Sequence, residues 1–204
     1  MPQHDFIYLA SQSPRRAQLL DVLGVQHRLL LAGDDEDAEA LEAERSGELP
    51  LAYVQRVTLA KLGAARARLR QRGLPASPIL CADTTVALGR RILVKPQGAG
   101  QAADMLAALS GRTHRVITAV AVAAGRRTLQ CTSLSRVRFA TLGPATIQRY
   151  IASGEPFGKA GAYAIQGALA GHIEHIAGSH SGIMGLPMFE AATLLRKAGV
   201  RMSL

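Results

Sequence analysis

PILCADTTVALGRRILVKP, Pro78 to Pro96, is the stretch on which the fold turns. Its first eleven residues are apolar and β-branched over the length of a buried strand. Gly89-Arg90-Arg91 is a turn signal, and the ILV beyond it is a second arm, so the stretch reads as a β-hairpin. Pro96 ends that arm, because proline stops a strand and restricts the residue before it. The pattern recurs downstream. THRVITAVAVAAG (Thr113 to Gly125) runs through a second GRR turn, Gly125 to Arg127, into TLQCTSLSRVRFA.

Outward from these hairpins, strands and helices alternate. FIYLA (Phe6 to Ala10) and HRLLLAG (His27 to Gly33) read as strands. Between them, Ser13 suits an N-cap and Pro14 the first helical position, Leu19, Leu20 and Leu23 share a face, and Gly24 suits the stop. A long helical pattern runs from about Pro50 to Arg72, with Val54, Val57, Leu59 and Leu62 among its apolar positions. AGQAADMLAALSG closes on Gly111, TIQRYIASG on Gly154, and MFEAATLLRKAG leads into VRMSL, which reads as a last strand. The glycine-rich run from Gly154 to Gly185 lacks periodicity and reads as loops with short strands. Helices alternating with strands give an α/β protein; two hairpins make the sheet mixed, flanked by helices, rather than wholly parallel. The expectation is a single domain over residues 1–204, a length that also allows two lobes around a central cleft.

The chain has 204 residues, 48% of them hydrophobic, with a formal net charge of +9. It can bury a substantial core, and no apolar run reaches the length of a membrane span. The start MPQHDF is unlike a signal peptide. Cys81 and Cys131, in apolar strand-like runs, read as buried reduced thiols, and the expected location is cytoplasmic. The positive charge admits nucleic acid, anionic surfaces or small polyanions as partners. Aromatic residues make up 4% and tryptophan is absent, which disfavours a base-stacking platform. The arginines of ARARLRQR, Ala65 to Arg72, read as the solvated face of a helix.

Several groups carry chemistry. LASQSPRRAQLL (Leu9 to Leu20) puts Ser11, Ser13, Arg15 and Arg16 around a helix N-terminus, where free N–H groups and guanidinium groups suit an anion. A bare structural helix has less reason for cations in its first turn, where they oppose the dipole. Asp83 ends the hydrophobic run ILCA; a carboxylate there needs a hydrogen bond, an ion pair or a metal, and a structural turn aspartate is the competing reading. Lys95 could complete a cationic clamp on a polyphosphate. Asp35 and Glu36, in the acidic cluster after Gly33, could supply carboxylates to Mg²⁺, or be solvated. Arg56 and Lys61 lie on the long helix. In GEPFGKAGAYAIQG (Gly154 to Gly167) Lys159 adds a cation and Gln166 an amide able to read a base edge. The six histidines show no zinc spacing, and neither a P-loop nor a dinucleotide fingerprint occurs.

Taken in order, LASQSPRRAQLL, YVQRVTLAK, CADTTV, the KP after a hairpin, LSGRTHRVITAV, SGEPFGKAGAYAIQG and GLPMFEAATLL resemble the Maf-like nucleoside triphosphate pyrophosphatases over nearly the whole chain. The resemblance implies a Maf/inosine triphosphatase-like fold, usually a homodimer. It implies hydrolysis of a nucleoside triphosphate to the monophosphate and pyrophosphate with a divalent cation, Mg or Mn. AGAYAIQG is similar to the branch acting on dTTP and UTP. The alternatives are the 7-methyl-GTP branch and a non-catalytic nucleotide-binding regulator of cell division. By motif, Asp83 matches the proton acceptor, and Arg15, Thr84 and Gln166 match positions linked to substrate choice. Ser11, Ser13, Arg16, Glu36, Arg56, Lys61, Lys95 and Lys159 match the polar set around triphosphate and metal, with Glu36 and Asp83 as the metal carboxylates. A nucleotide is the expected partner, with no membrane and no nucleic acid. The chain departs from the family pattern at Val94, Gly158, Ala168-Leu169, His180 and Gly182.

Overall fold

The computed structural model describes residues 3–33, 36–37 and 40–203. Asp34 and Asp35, the latter a candidate metal carboxylate, lie outside the described residues. The sheet is mixed and seven-stranded. Strands β1 (Ile7–Leu9), β2 (His27–Leu29), β3 (Ile79–Leu88), β4 (Arg91–Leu93), β5 (Thr113–Ala124), β6 (Arg127–Phe139) and β7 (Ile173–Ala177) are ordered β2-β1-β3-β5-β6-β7, with β4 paired to β3. β1 runs parallel to β2 and β3; the hairpins β3–β4 and β5–β6, and the pairs β3–β5 and β6–β7, are antiparallel. The two GRR turns therefore make the mixed sheet that the sequence implies, with Gly89 and Gly125 at positive φ as such turns require.

β3 is the hub. One edge follows β5 from Ile79 to Ala87. The other pairs with β1 only at Ile79 and Leu80 and with β4 only from Val86 to Leu88. Among the described residues, Cys81 to Thr85 have no ladder partner on that edge.

Helices cover both faces. On one, α2 (Pro50–Gln71) lays Leu62 and Ala65 against Cys81 and Ala121, and Val54 and Val57 against Ile117 and Ala119. On the other, α1 (Pro14–Val22) and α6 (Met188–Lys197) pack Leu19, Leu20, Leu194 and Leu195 against Leu80, Ala82, Val120 and Val122; the short helix α5 (His180–Met184) precedes α6. A third cluster joins α3 (Ala99–Leu109) and α4 (Pro144–Ala152) to Val116, Val137 and Phe139. Burial of these side chains, at about 1.5–3 kcal/mol each, is the main force holding the layers together. No described helix is long and apolar enough to cross a membrane.

Four expectations need correction. Of VRMSL, Val200 to Ser203 form no strand: Val200 makes one isolated bridge to His4 and the chain then leaves the sheet, and Leu204 lies outside the described residues. Arg68 is not on a solvated face; it is buried, because the loop after β2 folds over that side of α2. Cys131 is only partly buried, although both thiols are free as expected. Ser13 holds the N-cap position of α1 in extended conformation but makes no side-chain cap; its own N–H donates to Ser11 Oγ at 3.2 Å. The Gly154–Gly185 run folds into 3₁₀ turns at Ala160–Ala162 and Ala168–His172, then β7 and α5.

Candidate active site

Asp83 and Thr84 are consecutive on β3, so their side chains leave opposite faces of the sheet. The Asp83 side meets α2, where Lys61 Nζ donates to Asp83 Oδ1 at 2.6 Å. The Thr84 side meets α1. There Thr84 Oγ1 lies 2.9 Å from Thr118 Oγ1 and 3.5 Å from Arg16 Nη2. One strand thus carries a carboxylate and a hydroxyl to two cationic helices at the point where its free edge opens.

A cleft of about 790 Å³ lies there, lined by Ser11, Ser13, Arg15, Arg16, Glu36, Lys61, Asp83, Thr84, Lys95 and Lys159. Of the side chains singled out in the sequence, twelve lie in the described residues, and ten of those meet in this one cavity. Arg56 and Gln166 are not among its lining residues. Gln166 is exposed and follows Ile165, which does line the cleft.

Each cation is held by something other than solvent. Arg16 donates from Nε to the Gly185 carbonyl at 2.8 Å and from Nη1 to Ser11 Oγ at 3.0 Å. Arg15 Nε reaches the Met184 carbonyl at 3.3 Å. The C-terminal end of α5 therefore fixes both guanidinium groups of α1. Lys159 Nζ donates to the Glu155 carbonyl. Burial lowers the pKa of Arg16, against the pull of Asp83; burial and then Arg15 lower that of Lys159. Such crowded, partly desolvated cations constitute a site whose favourable occupant is an anion.

The acidic side is equally organised. Lys61 Nζ also donates to Glu42 Oε1 at 2.7 Å, and Lys95 Nζ lies 2.8 and 3.0 Å from the two Glu42 oxygens. Asp83, Lys61, Glu42 and Lys95 form a chain of alternating charge along one wall. Burial opposes charge on Lys61, but Asp83 and Glu42 outweigh it and its pKa is raised. Burial likewise opposes charge on Glu42, and Lys61 and Lys95 prevail, lowering its pKa. Glu36 receives Arg68 at both oxygens, each at 2.6 Å, and the Gly33 N–H at 3.3 Å; the pair with Arg68 drops its carboxyl to about 2. Among the described residues no three His, Cys, Asp or Glu side chains are grouped to hold a metal by themselves.

Four contributors escape sequence reading: Glu42, Arg68, Thr118 and Tyr163. Glu42 sits in a 3₁₀ turn of an irregular loop, with no motif to mark it. Thr118 donates to the Gly182 carbonyl at 2.7 Å, so the departure at Gly182 leaves a backbone contact in place. Tyr163 lines the cleft with its hydroxyl 2.8 Å from His114 Nε2. Arg56 has a different position from the one expected. Its guanidinium pairs with Glu48 at 2.7 Å and donates to the carbonyls of Leu41 and Ala43 at 3.5 and 2.9 Å, so it ties down the loop that carries Glu42.

Comparison with known proteins places this geometry in a family. The family model described as "Maf-like protein" matches residues 6–198. A protein of a Polaromonas species named dTTP/UTP pyrophosphatase is 61% identical over 201 residues, covering 98% of this chain and 100% of that relative. Relatives of the same name are 60% identical in Albidiferax ferrireducens (97% of this chain, 98% of the relative) and 60% in Burkholderia pseudomallei (98% and 96%). With a model match across almost its whole length and full-length relatives at this identity, the chain belongs to the Maf-like protein family.

Proposed function

We propose that this protein hydrolyses dTTP and UTP to the monophosphate and pyrophosphate, the activity in the names of its relatives. The observation that carries the reading is the convergence, in one cleft, of Arg15, Arg16, Lys61, Lys95 and Lys159 with the carboxylate of Asp83. These five cations suit the charge of a triphosphate, and of the carboxylates that share the cleft with them Asp83, carried on the central strand, suits proton transfer from water.

The residues divide the work. Arg15 and Arg16, fixed by the carbonyls of Met184 and Gly185, present guanidinium forks to phosphate oxygens. Ser11, Ser13 and the start of α1 add hydroxyl and N–H donors. Lys95 and Lys159 take the pyrophosphate end, where charge grows as the bond between the α and β phosphorus atoms breaks. Lys61 holds Asp83 Oδ1 and so fixes the carboxylate plane. Asp83 orients the attacking water and accepts its proton. Thr84, braced by Thr118, stands beside the reacting phosphate. Gln166, one residue beyond the cleft wall, is the candidate for reading the pyrimidine edge.

Asp83 and Glu36 are hard oxygen donors in the cleft, which suits a divalent cation that shares few carboxylates with substrate phosphates. Asp83 is the carboxylate placed to hold it; Glu36 would join by giving up Arg68. When bound, such an ion supplies neutralisation of charge on the phosphates.

The test is a panel of nucleoside triphosphates with Mg²⁺ or Mn²⁺, scored separately for pyrophosphate and orthophosphate. UMP, dTMP and pyrophosphate are expected. Orthophosphate with a nucleoside diphosphate would overturn the reading.

A further inference from the structure

Glu42 occupies an unusual position for a residue of an irregular loop. Its carboxylate lies between the two lysines of the cleft, 2.7 Å from Lys61 Nζ and 2.8 Å from Lys95 Nζ, and lines the same cavity. Lys95 spends two donor contacts on the two Glu42 oxygens, and Lys61 divides its contacts between Glu42 and Asp83. An ammonium has three N–H donors and no acceptor, so phosphate oxygens arriving here compete with Glu42 for the same groups.

The loop itself is not free to leave. Tyr53 Oη donates to the Glu42 carbonyl at 2.8 Å, and Arg56, paired with Glu48, holds the carbonyls on either side. The backbone stays pinned while the side chain, 26% exposed, can rotate toward solvent. That combination makes an anion tethered at one end and exchangeable at the other.

Resting on the pyrophosphatase reading, we propose that Glu42 is a built-in competitor for the pyrophosphate end of the substrate. In the free protein it holds Lys61 and Lys95 in position. The entering triphosphate displaces it, and after cleavage it recaptures both lysines and favours release of pyrophosphate. Glu42 thereby lowers affinity for substrate and product alike and keeps the cleft from being blocked by its own product. Its charge tunes the grip on phosphate without touching the reacting atoms, so Glu42 is a positioning residue.

The experiment compares wild type, Glu42→Gln and Glu42→Asp. Pyrophosphate binding is measured by calorimetry with and without Mg²⁺, and UTP turnover in parallel. Glu42→Gln is expected to bind pyrophosphate roughly tenfold more tightly, the scale of one charge-assisted contact, with a lower KM for UTP. Glu42→Asp, which keeps the charge, should move binding back toward wild type. Unchanged or weaker pyrophosphate binding in a Glu42→Gln protein that still cleaves UTP overturns the proposal. Weakening seen only with Mg²⁺ also overturns it, since that outcome makes Glu42 a cation-holding residue. If wild type neither binds pyrophosphate nor cleaves UTP, the pyrophosphatase reading itself fails and the role of Glu42 falls with it.

Discussion

Replacing Asp83 by Asn removes one negative charge and keeps the shape of the side chain. The structure lets the costs to folding and to chemistry be separated. Lys61, the partner of Asp83 at 2.6 Å, keeps Glu42 at 2.7 Å, so its ammonium is not left unpaired in the variant. The amide oxygen of Asn can still accept from Lys61. The loss in stability is then one hydrogen bond downgraded from charged to neutral, about 1 kcal/mol. For a chain of this size that is a fall in Tm of about 2–4 °C. The chemical cost is larger, because an amide cannot take a proton from water. Removal of a general base lowers turnover about 10²–10⁴-fold, or roughly 2.7–5.4 kcal/mol in the barrier. Thermal melting and initial rates of pyrophosphate release from UTP, on one preparation, measure both. A folded Asp83→Asn protein with turnover within a few-fold of wild type would refute the assignment and leave Asp83 as an anchor for Lys61.

Acid titration tests the Glu36–Arg68 pair. The carboxyl of Glu36 is held at about 2 in the folded protein, below its ordinary value near 4.5, so its stabilisation is complete above about pH 4.5 and fades as pH falls toward 2. Glu36→Gln should flatten that part of the stability profile, read by urea midpoints from pH 7 downward; an unaltered slope would show that the pair contributes nothing. Gly161 has a φ of +69°, and a Cβ there would meet the Val86 side chain at 2.8–2.9 Å. Gly161→Ala should therefore cost roughly 2–4 kcal/mol from left-handed strain and overpacking, and denaturant curves within 0.5 kcal/mol of wild type would contradict this. Gln166→Ala should lower kcat/KM for UTP more than for CTP, by about 1–3 kcal/mol if the amide reads the base edge. A constant UTP to CTP ratio would confine Gln166 to the surface it occupies.

Much of the architecture could be read directly because it depends on short-range signals. Strand Ile79–Leu88, both GRR hairpins and the Pro14 helix start come from side-chain pattern and turn chemistry within a few residues. The errors arise where distant chain decides. Arg68 looks solvated on helical spacing, yet the loop after β2 brings Glu36 and the Leu30 carbonyl onto it. Val200 to Ser203 have strand composition but gain only one bridge, so the sheet ends without them. Glu42 is a glutamate in a polar loop until Arg56 and Tyr53, eleven to fourteen residues on, fix where that loop lies. Arg56 could be found by motif but not its task, since motif gives residue type and not the contacts it makes.

The unpaired edge of β3 has a mechanical meaning. Between Leu80, the last residue paired to β1, and Val86, the first paired to β4, the sheet is sewn on one side only among the described residues. Lys95 follows β4, whereas Arg15 and Arg16 follow β1, so the two jaws of the cleft hang from opposite ends of this seam. A motion that brought the jaws together would flex β3 and β5 but would have no rung to break along the open edge. Asp83 sits midway along this seam, between the end held by β1 and the end held by β4, so a bend there would swing the two jaws about its carboxylate.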